Sequence, residues 1–230
     1  MIVSHAHRFV FMKTRKTAGT SVEIALSRVC GPHDIITGFG PRDEDLRAEL
    51  GGRGRQNTRK PLTRYTARNY AKLLTRRRWL HAYAHMPAKD VRRLIGRELW
   101  NDYTKFTVVR NPWDMVVSYY YFRLREVSNK PTISDWLRNS GDIERLKRDR
   151  DKFLINGQLV MDHVCRFENL SEDLTRVWKS LELPGRPELP RAKGDFRTDK
   201  RHYRDQLSDA DAELIRQAFA VEIGLFGYAF

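Results

Sequence analysis

A chain of 230 residues suits a single hydrophobic core and leaves no room for two full-sized domains. Its 40% hydrophobic and 31% charged residues are those of a globular, not a disordered, chain; no apolar run nears the roughly 20 residues of a spanning helix, and MIVSHAHRFVFMK has neither the apolar length nor the cleavage site of a secretory signal. The net charge of +14 is concentrated, because no acidic residue falls between Glu49 and Asp90 while 11 Lys or Arg do, and such a stretch gathers anions: nucleic acid, an anionic polysaccharide, a membrane surface or a phosphorylated cofactor.

In chain order, the apolar run Arg8 to Lys13 is expected to be the first strand of a parallel sheet, with the residues before it as a short lead-in. From Thr20 the period changes: Val22, Ala25, Leu26, Val29 and Cys30 fall on one helical face, Thr20 and Glu23 have capping-box spacing, and Gly31-Pro32 ends the helix. Residues 38–63 show no period and read as a surface excursion. A basic helix over about 66–78 completes a basic excursion at about 38–78. A helix from Ala88 places Val91, Leu94, Ile95 and Leu99 on one face. FTVVR at 106–110 is a second buried strand, and Pro112 follows at a helix N1 position. Leu159 to Phe167 reads as a strand; Leu174, Val177, Trp178 and Leu181 mark a helix, and Leu214, Ile215, Ala218 and Phe219 the last one. Alternating strands and helices predict a single α/β domain over residues 1–230, a three-layer sandwich around a central parallel sheet.

Between the first strand and helix lies Lys13-Thr-Arg-Lys-Thr-Ala-Gly-Thr-Ser21. A strand that feeds a small-residue loop into a helix N-terminus makes an anion site, since free N–H groups and the helix dipole both favour negative charge. Gly19 permits close approach, Thr20 and Ser21 offer hydroxyls, and Lys16 offers a point charge. In an ATP-binding P-loop the lysine follows the second glycine; here it precedes the glycine, and no Gly-Lys-Ser/Thr occurs. With no hydroxyl placed to hold Mg²⁺, the loop predicts a phosphate site that needs no metal.

K-T-A-G-T-S at 16–21 resembles the 5′-phosphosulfate loop of the sulfotransferases that use 3′-phosphoadenosine-5′-phosphosulfate (PAPS). V-V-R-N-P-W-D-M-V-V-S-Y-Y-Y-F at 108–122 is similar to the 3′-phosphate motif of that family, with Arg110 and Ser118 in its arginine and serine places. R-F-E-N-L-S-E-D-L at 166–174 resembles a later segment, and F-G-Y-A-F has a familiar ending. The resemblance implies the P-loop NTPase-like sulfotransferase fold, PAPS as donor, adenosine 3′,5′-bisphosphate as product, and Arg15, Lys16, Thr17, Ala18, Gly19, Thr20, Ser21, Arg110 and Ser118 as nucleotide-binding residues. It is closest to carbohydrate-type members, which implies a hydroxyl-bearing acceptor on an oligo- or polysaccharide, anionic given the basic excursion, and no nucleic acid partner. Two positions depart from the family pattern. Arg15 stands where proline is common, and Val22 stands where cytosolic members carry an adenine-stacking tryptophan. The adenine platform is then sought at Phe167 or around Lys193 in R-A-K-G-D-F (191–196), which resembles the nucleotide cover of the family.

Attack by a hydroxyl calls for a general base, usually histidine. His85 in A-H-M-P-A resembles the His-Leu-Pro segment that carries the base, with His81 as runner-up, and Lys16 is the group expected to stabilise the leaving phosphate. Cys30 and Cys165 make no disulfide framework or metal cluster and fit a cytoplasmic chain. No H-E-x-x-H, C-x-x-C, G-x-S-x-G or G-x-G-x-x-G is present. The competing readings are a P-loop nucleotide kinase and a non-catalytic basic protein that holds nucleic acid or anionic glycan through residues 53–78.

Overall fold

Alternation along the strand Phe9–Met12 sets the architecture. Phe9 and Phe11 pack into one buried cluster and Val10 and Met12 into another, and all four are fully buried. Successive side chains point to opposite faces of a sheet, so a strand buried on both needs helices above and below. The computed structural model describes residues 1–77, 79–190 and 197–230. In chain order its strands are β1 (Ile2–Ser4), β2 (Phe9–Met12), β3 (Ile35–Ile36), β4 (Thr104–Val109), β5 (Leu154–Ile155), β6 (Gln158–Leu159) and β7 (His163–Arg166). The helices are α1 (Gly19–Ser27), α2 (Pro41–Glu49), α3 (Ala67–Arg76), α4 (Ala88–Ile95), α5 (Arg97–Asp102), α6 (Pro112–Arg123), α7 (Ile133–Asn139), α8 (Asp142–Lys147), α9 (Leu170–Ser180), α10 (Asp209–Ala218) and α11 (Ala220–Phe226).

The main sheet has the order β3-β1-β2-β4-β7. Val22, Ala25 and Leu26 of α1 and Leu174, Val177 and Trp178 of α9 cover the face of Phe9, Phe11, Phe106 and Val108. Val91 and Leu94 of α4 and Trp100 of α5 cover the face of Val10, Met12 and Val109. The expected three layers are therefore present. A third cluster joins α6, α7 and α10 through Trp113, Val116, Trp136 and Ile215.

Several details differ from the sequence expectations. The sheet is mixed: β2, β4 and β7 run parallel, while β1 is antiparallel to both β2 and β3. The residues read as a lead-in are β1 itself, paired Ile2 to Phe11 in a tight hairpin. The supposed strand from Leu159 to Phe167 is two pieces, β6 in a hairpin with β5 and then β7 in the main sheet. Gly96 takes φ +95 and separates α4 from α5, which turns Leu99 out of the apolar stripe and leaves it exposed. The excursion contains α2, which begins with Pro41 at its first turn.

Parallel pairing decides where a site can form. Met12 lies opposite Thr107, and Val109 opposite Arg166, so the loops after β2, β4 and β7 leave the sheet at one edge. Open α/β sheets bind ligands outside the carboxyl ends of their strands.

Candidate active site

Beyond that edge is a cavity of about 480 Å³. The loop after β2 contributes Lys13 to Lys16 and Ala18 to Thr20, the β4–α6 segment contributes Arg110 and Ser118, and Phe167 follows β7. His85 and Arg197 also line it, and no carboxylate occurs in the described lining.

The first loop is held from behind. Thr14 donates its hydroxyl to the Val108 carbonyl, and its Oγ1 lies 2.9 Å from Thr17 Oγ1. Lys16 (φ 61) and Ala18 (φ 56) are both left-handed, a conformation non-glycine residues adopt at some strain and mostly at functional sites. Such turns aim successive N–H groups into one concavity. Ala18 precedes α1 and makes no side-chain cap, so the first amides of that helix face the cavity without an intrahelical acceptor. The expected Thr20–Glu23 capping box is absent because both side chains serve Lys13. Its Nζ lies 2.7 Å from Glu23 Oε2 and 3.2 Å from Thr20 Oγ1, and this pairing matches the charge of the fully buried Glu23. Gly19 serves the same arrangement. A Cβ there would meet Lys13 Cγ at 2.7 Å, so the close approach concerns the lysine stem.

Arg110 joins the two loops. Its Nη1 donates to the Lys16 carbonyl at 2.8 Å, its Nε and Nη2 donate to Asp114 Oδ2 at 2.9 and 2.7 Å, and its guanidinium lies 4.0 Å above the Phe167 ring. Three of its five N–H donors are thus engaged. Arg197 donates from Nη1 to the other oxygen of Asp114 at 2.7 Å, which sets two arginines along one carboxylate. Asn111 fixes the helix that carries Ser118: its side chain accepts from the amides of Trp113 and Asp114, and its Nδ2 donates to the Ala229 carbonyl at 3.1 Å.

His85 sits in the bend before α4, with Nδ1 3.0 Å from the Lys13 carbonyl. A carbonyl only accepts, so Nδ1 carries the hydrogen and Nε2 is left as an acceptor. Burial, then the nearby charge of Lys152, push its pKa down to about 3, with Arg15 and Lys13 adding to the shift. Lys152 is itself brought down to about 8 by burial. Its partner Asp149 also pairs with Arg15, whose backbone N–H it accepts at 2.6 Å.

Of the residues singled out from sequence, Arg15, Lys16, Ala18, Gly19, Thr20, Arg110, Ser118 and His85 line one cavity. The side chains of Thr17 and Ser21 are buried, which leaves those positions their backbone amides. His81 is outside the lining, its Nδ1 3.1 Å from Thr58 Oγ1. Phe167 lies under Arg110, which occupies one ring face. Val22 is in the core, and Lys193 is outside the described residues. Sequence reading missed Lys13, Arg197, Asp114 and Asp149. The position of Lys13 at a strand end and the local spacing of Asp114, four residues after Arg110, were signals, while Arg197 and Asp149 meet the site through contacts distant in sequence.

Among the described residues no helix is long and apolar enough to cross a membrane. An uncharacterized protein of Archaeoglobus fulgidus is 30% identical to the chain over 101 residues, 43% of this chain and 84% of that protein. The crystal structure of a sulfotransferase from Alicyclobacillus acidocaldarius aligns over 96% of both chains at 16% identity, with a TM-score of 0.40. A model of the sulfotransferase family matches residues 1–229, and the chain belongs to that family.

Proposed function

We propose that the protein transfers a sulfuryl group from PAPS to an acceptor hydroxyl on an oligo- or polysaccharide. The observation that carries this reading is the meeting of the open start of α1, Lys16, Arg110, Ser118 and His85 in one cation-lined cavity. Its volume of about 480 Å³ lies within the range of small-molecule sites. PAPS supplies an activated sulfuryl group on a phosphate leaving group.

In this reading the α1 amides and Lys16 hold the 5′ end of the nucleotide, and Arg110 and Ser118 hold the 3′-phosphate. Lys16 stabilises the charge that develops on the leaving phosphate, which lowers the barrier because that charge is greatest in the transition state. His85 accepts the acceptor proton at Nε2. At a pKa of about 3 it is a weak base; anions beside it offset the charges of Lys152, Arg15 and Lys13 and raise the pKa, while burial, the larger cause, holds it below the free value. Arg123 and Arg145 line the same cavity and suit an acidic acceptor. The buried thiols Cys30 and Cys165 fit a reducing compartment, the cytoplasm.

Adenosine 3′,5′-bisphosphate is expected to raise the melting temperature of the wild type and to do so far less for Lys16→Met, since a ligand of the native state alone must stabilise it. With labelled PAPS and a panel of saccharides, His85→Gln should keep that stabilisation and lose roughly 10²–10⁴ in transfer rate. No stabilisation of the wild type at saturating bisphosphate overturns the assignment. A basic binding protein acting through residues 53–78 would keep polyanion binding in both variants.

A further inference from the structure

Residues 62–77 and 79–83 carry features that the transfer site does not use. In α3, Tyr70, Leu73 and Leu74 fall at i, i+3 and i+4 on one face, while Arg68 and Lys72 lie on the opposite one. None of its described residues is buried, and Leu74 is 78% exposed. Leu62, Tyr70, Trp79 and Tyr83 are exposed as well. A ten-residue helix of this kind has little stability of its own in water and normally buries its apolar stripe.

The chain just before α3 also forms one wall of a second cavity. Thr63 to Thr66 face α4 and α5 across a groove of about 960 Å³, lined by Arg64, Lys89, Arg92, Arg93 and Arg97, with Glu98 as the carboxylate among the described lining. The two walls meet where the Arg64 guanidinium lies on Gly96, at which a Cβ would come within 2.7 Å of Nη2.

Exposed leucines, aromatic side chains and one-signed charge constrain the occupant. A polysaccharide or nucleic acid would engage the cations and leave Leu62 and Leu74 in water. A second copy would bring like charge against like. An anionic bilayer accepts both features, with apolar side chains at the acyl boundary and Lys and Arg at the headgroups. We propose that residues 62–77 and 79–83 and the adjoining cationic groove dock the protein on an anionic membrane surface, with α3 lying in the interface. This goes beyond the transfer reaction and does not depend on it.

The test is flotation of the full chain with vesicles of phosphatidylcholine alone, or with about one-third phosphatidylglycerol. Wild-type protein should float with the anionic vesicles and not with the neutral ones. Leu74→Glu should lower the partition about tenfold and Lys89→Glu should lower it less, both with the melting temperature and the bisphosphate shift of the wild type. Absence of partition onto anionic vesicles overturns the proposal. So does a Leu74→Glu protein that floats as the wild type does, or one that binds dextran sulfate or duplex DNA as tightly as the wild type binds vesicles. The retained bisphosphate shift separates failure here from failure of the transfer reading.

Discussion

Lys13 crosses Gly19 on its way to Glu23, so the glycine that opens α1 is required by the side chain packed on it. Gly19→Ala would drive Cβ to 2.7 Å from Lys13 Cγ, near the stiff base of the stem, and the strain falls on a buried ion pair. The expected loss is about 1–3 kcal/mol of stability together with most of the bisphosphate stabilisation; urea denaturation and thermal shift measure the two, and an unaltered denaturation midpoint would show that Lys13 is free to move. Arg110, Ser118 and His85 were legible in the sequence because local motifs carry them. Glu23 was expected to cap α1 and Lys13 only to end the strand, because their pairing becomes visible only once the loop bends. Arg197 and Asp149 reach the site through contacts 83 and 134 residues apart in sequence, which no local pattern reports.

At the level of elements, α1, α4, α9 and α10 were legible from apolar stripes and α3 from its run of charge. By contrast, α7 and α8 are too short, at seven and six residues, for their buried Trp136, Leu137, Ile143 and Leu146 to show a period. α2 passed unseen because the side chains it buries are Asp43 and Arg47; Arg47 stacks 3.8 Å from the Phe39 ring and pairs with Glu44 at 3.1 Å. The β1–β2 hairpin was missed because Ile2 and Val3 are too few to show a period. α6 was read correctly, with Pro112 at its start, and its capping residue now links it to the site. Asn111→Ala removes the acceptor for the Trp113 and Asp114 amides and the donor to Ala229. A cap of this kind contributes about 1 kcal/mol, up to about 2. Because α6 carries both Asp114 and Ser118, the variant should also bind adenosine 3′,5′-bisphosphate more weakly, by isothermal titration, than Asn111→Asp, which keeps the cap.

For the whole molecule, the parallel edge of β2, β4 and β7 gathers seven lining cations, Lys13, Arg15, Lys16, Arg110, Arg123, Arg145 and Arg197, and encloses His85 among them. That placement has a consequence for stability in the absence of any ligand. Folding lowers the His85 pKa from 6.5 to about 3, so between these values the unfolded chain binds a proton that the folded chain does not. Stability changes with pH in proportion to that difference in bound protons and must rise with pH across the window. The contribution of His85 is therefore constant above pH 6.5 and is lost as the pH falls toward 3. Lys152, brought down to about 8 from 10.5, is protonated in both states throughout this window and adds no slope there. Carboxylates contribute equally to wild type and His85→Gln, so the difference between the two isolates His85. Urea midpoints from about pH 7 to about pH 4.5 should fall more steeply for the wild type. Parallel curves would mean that the His85 pKa is the same in the folded and the unfolded chain, so that burial in this cavity does not lower it.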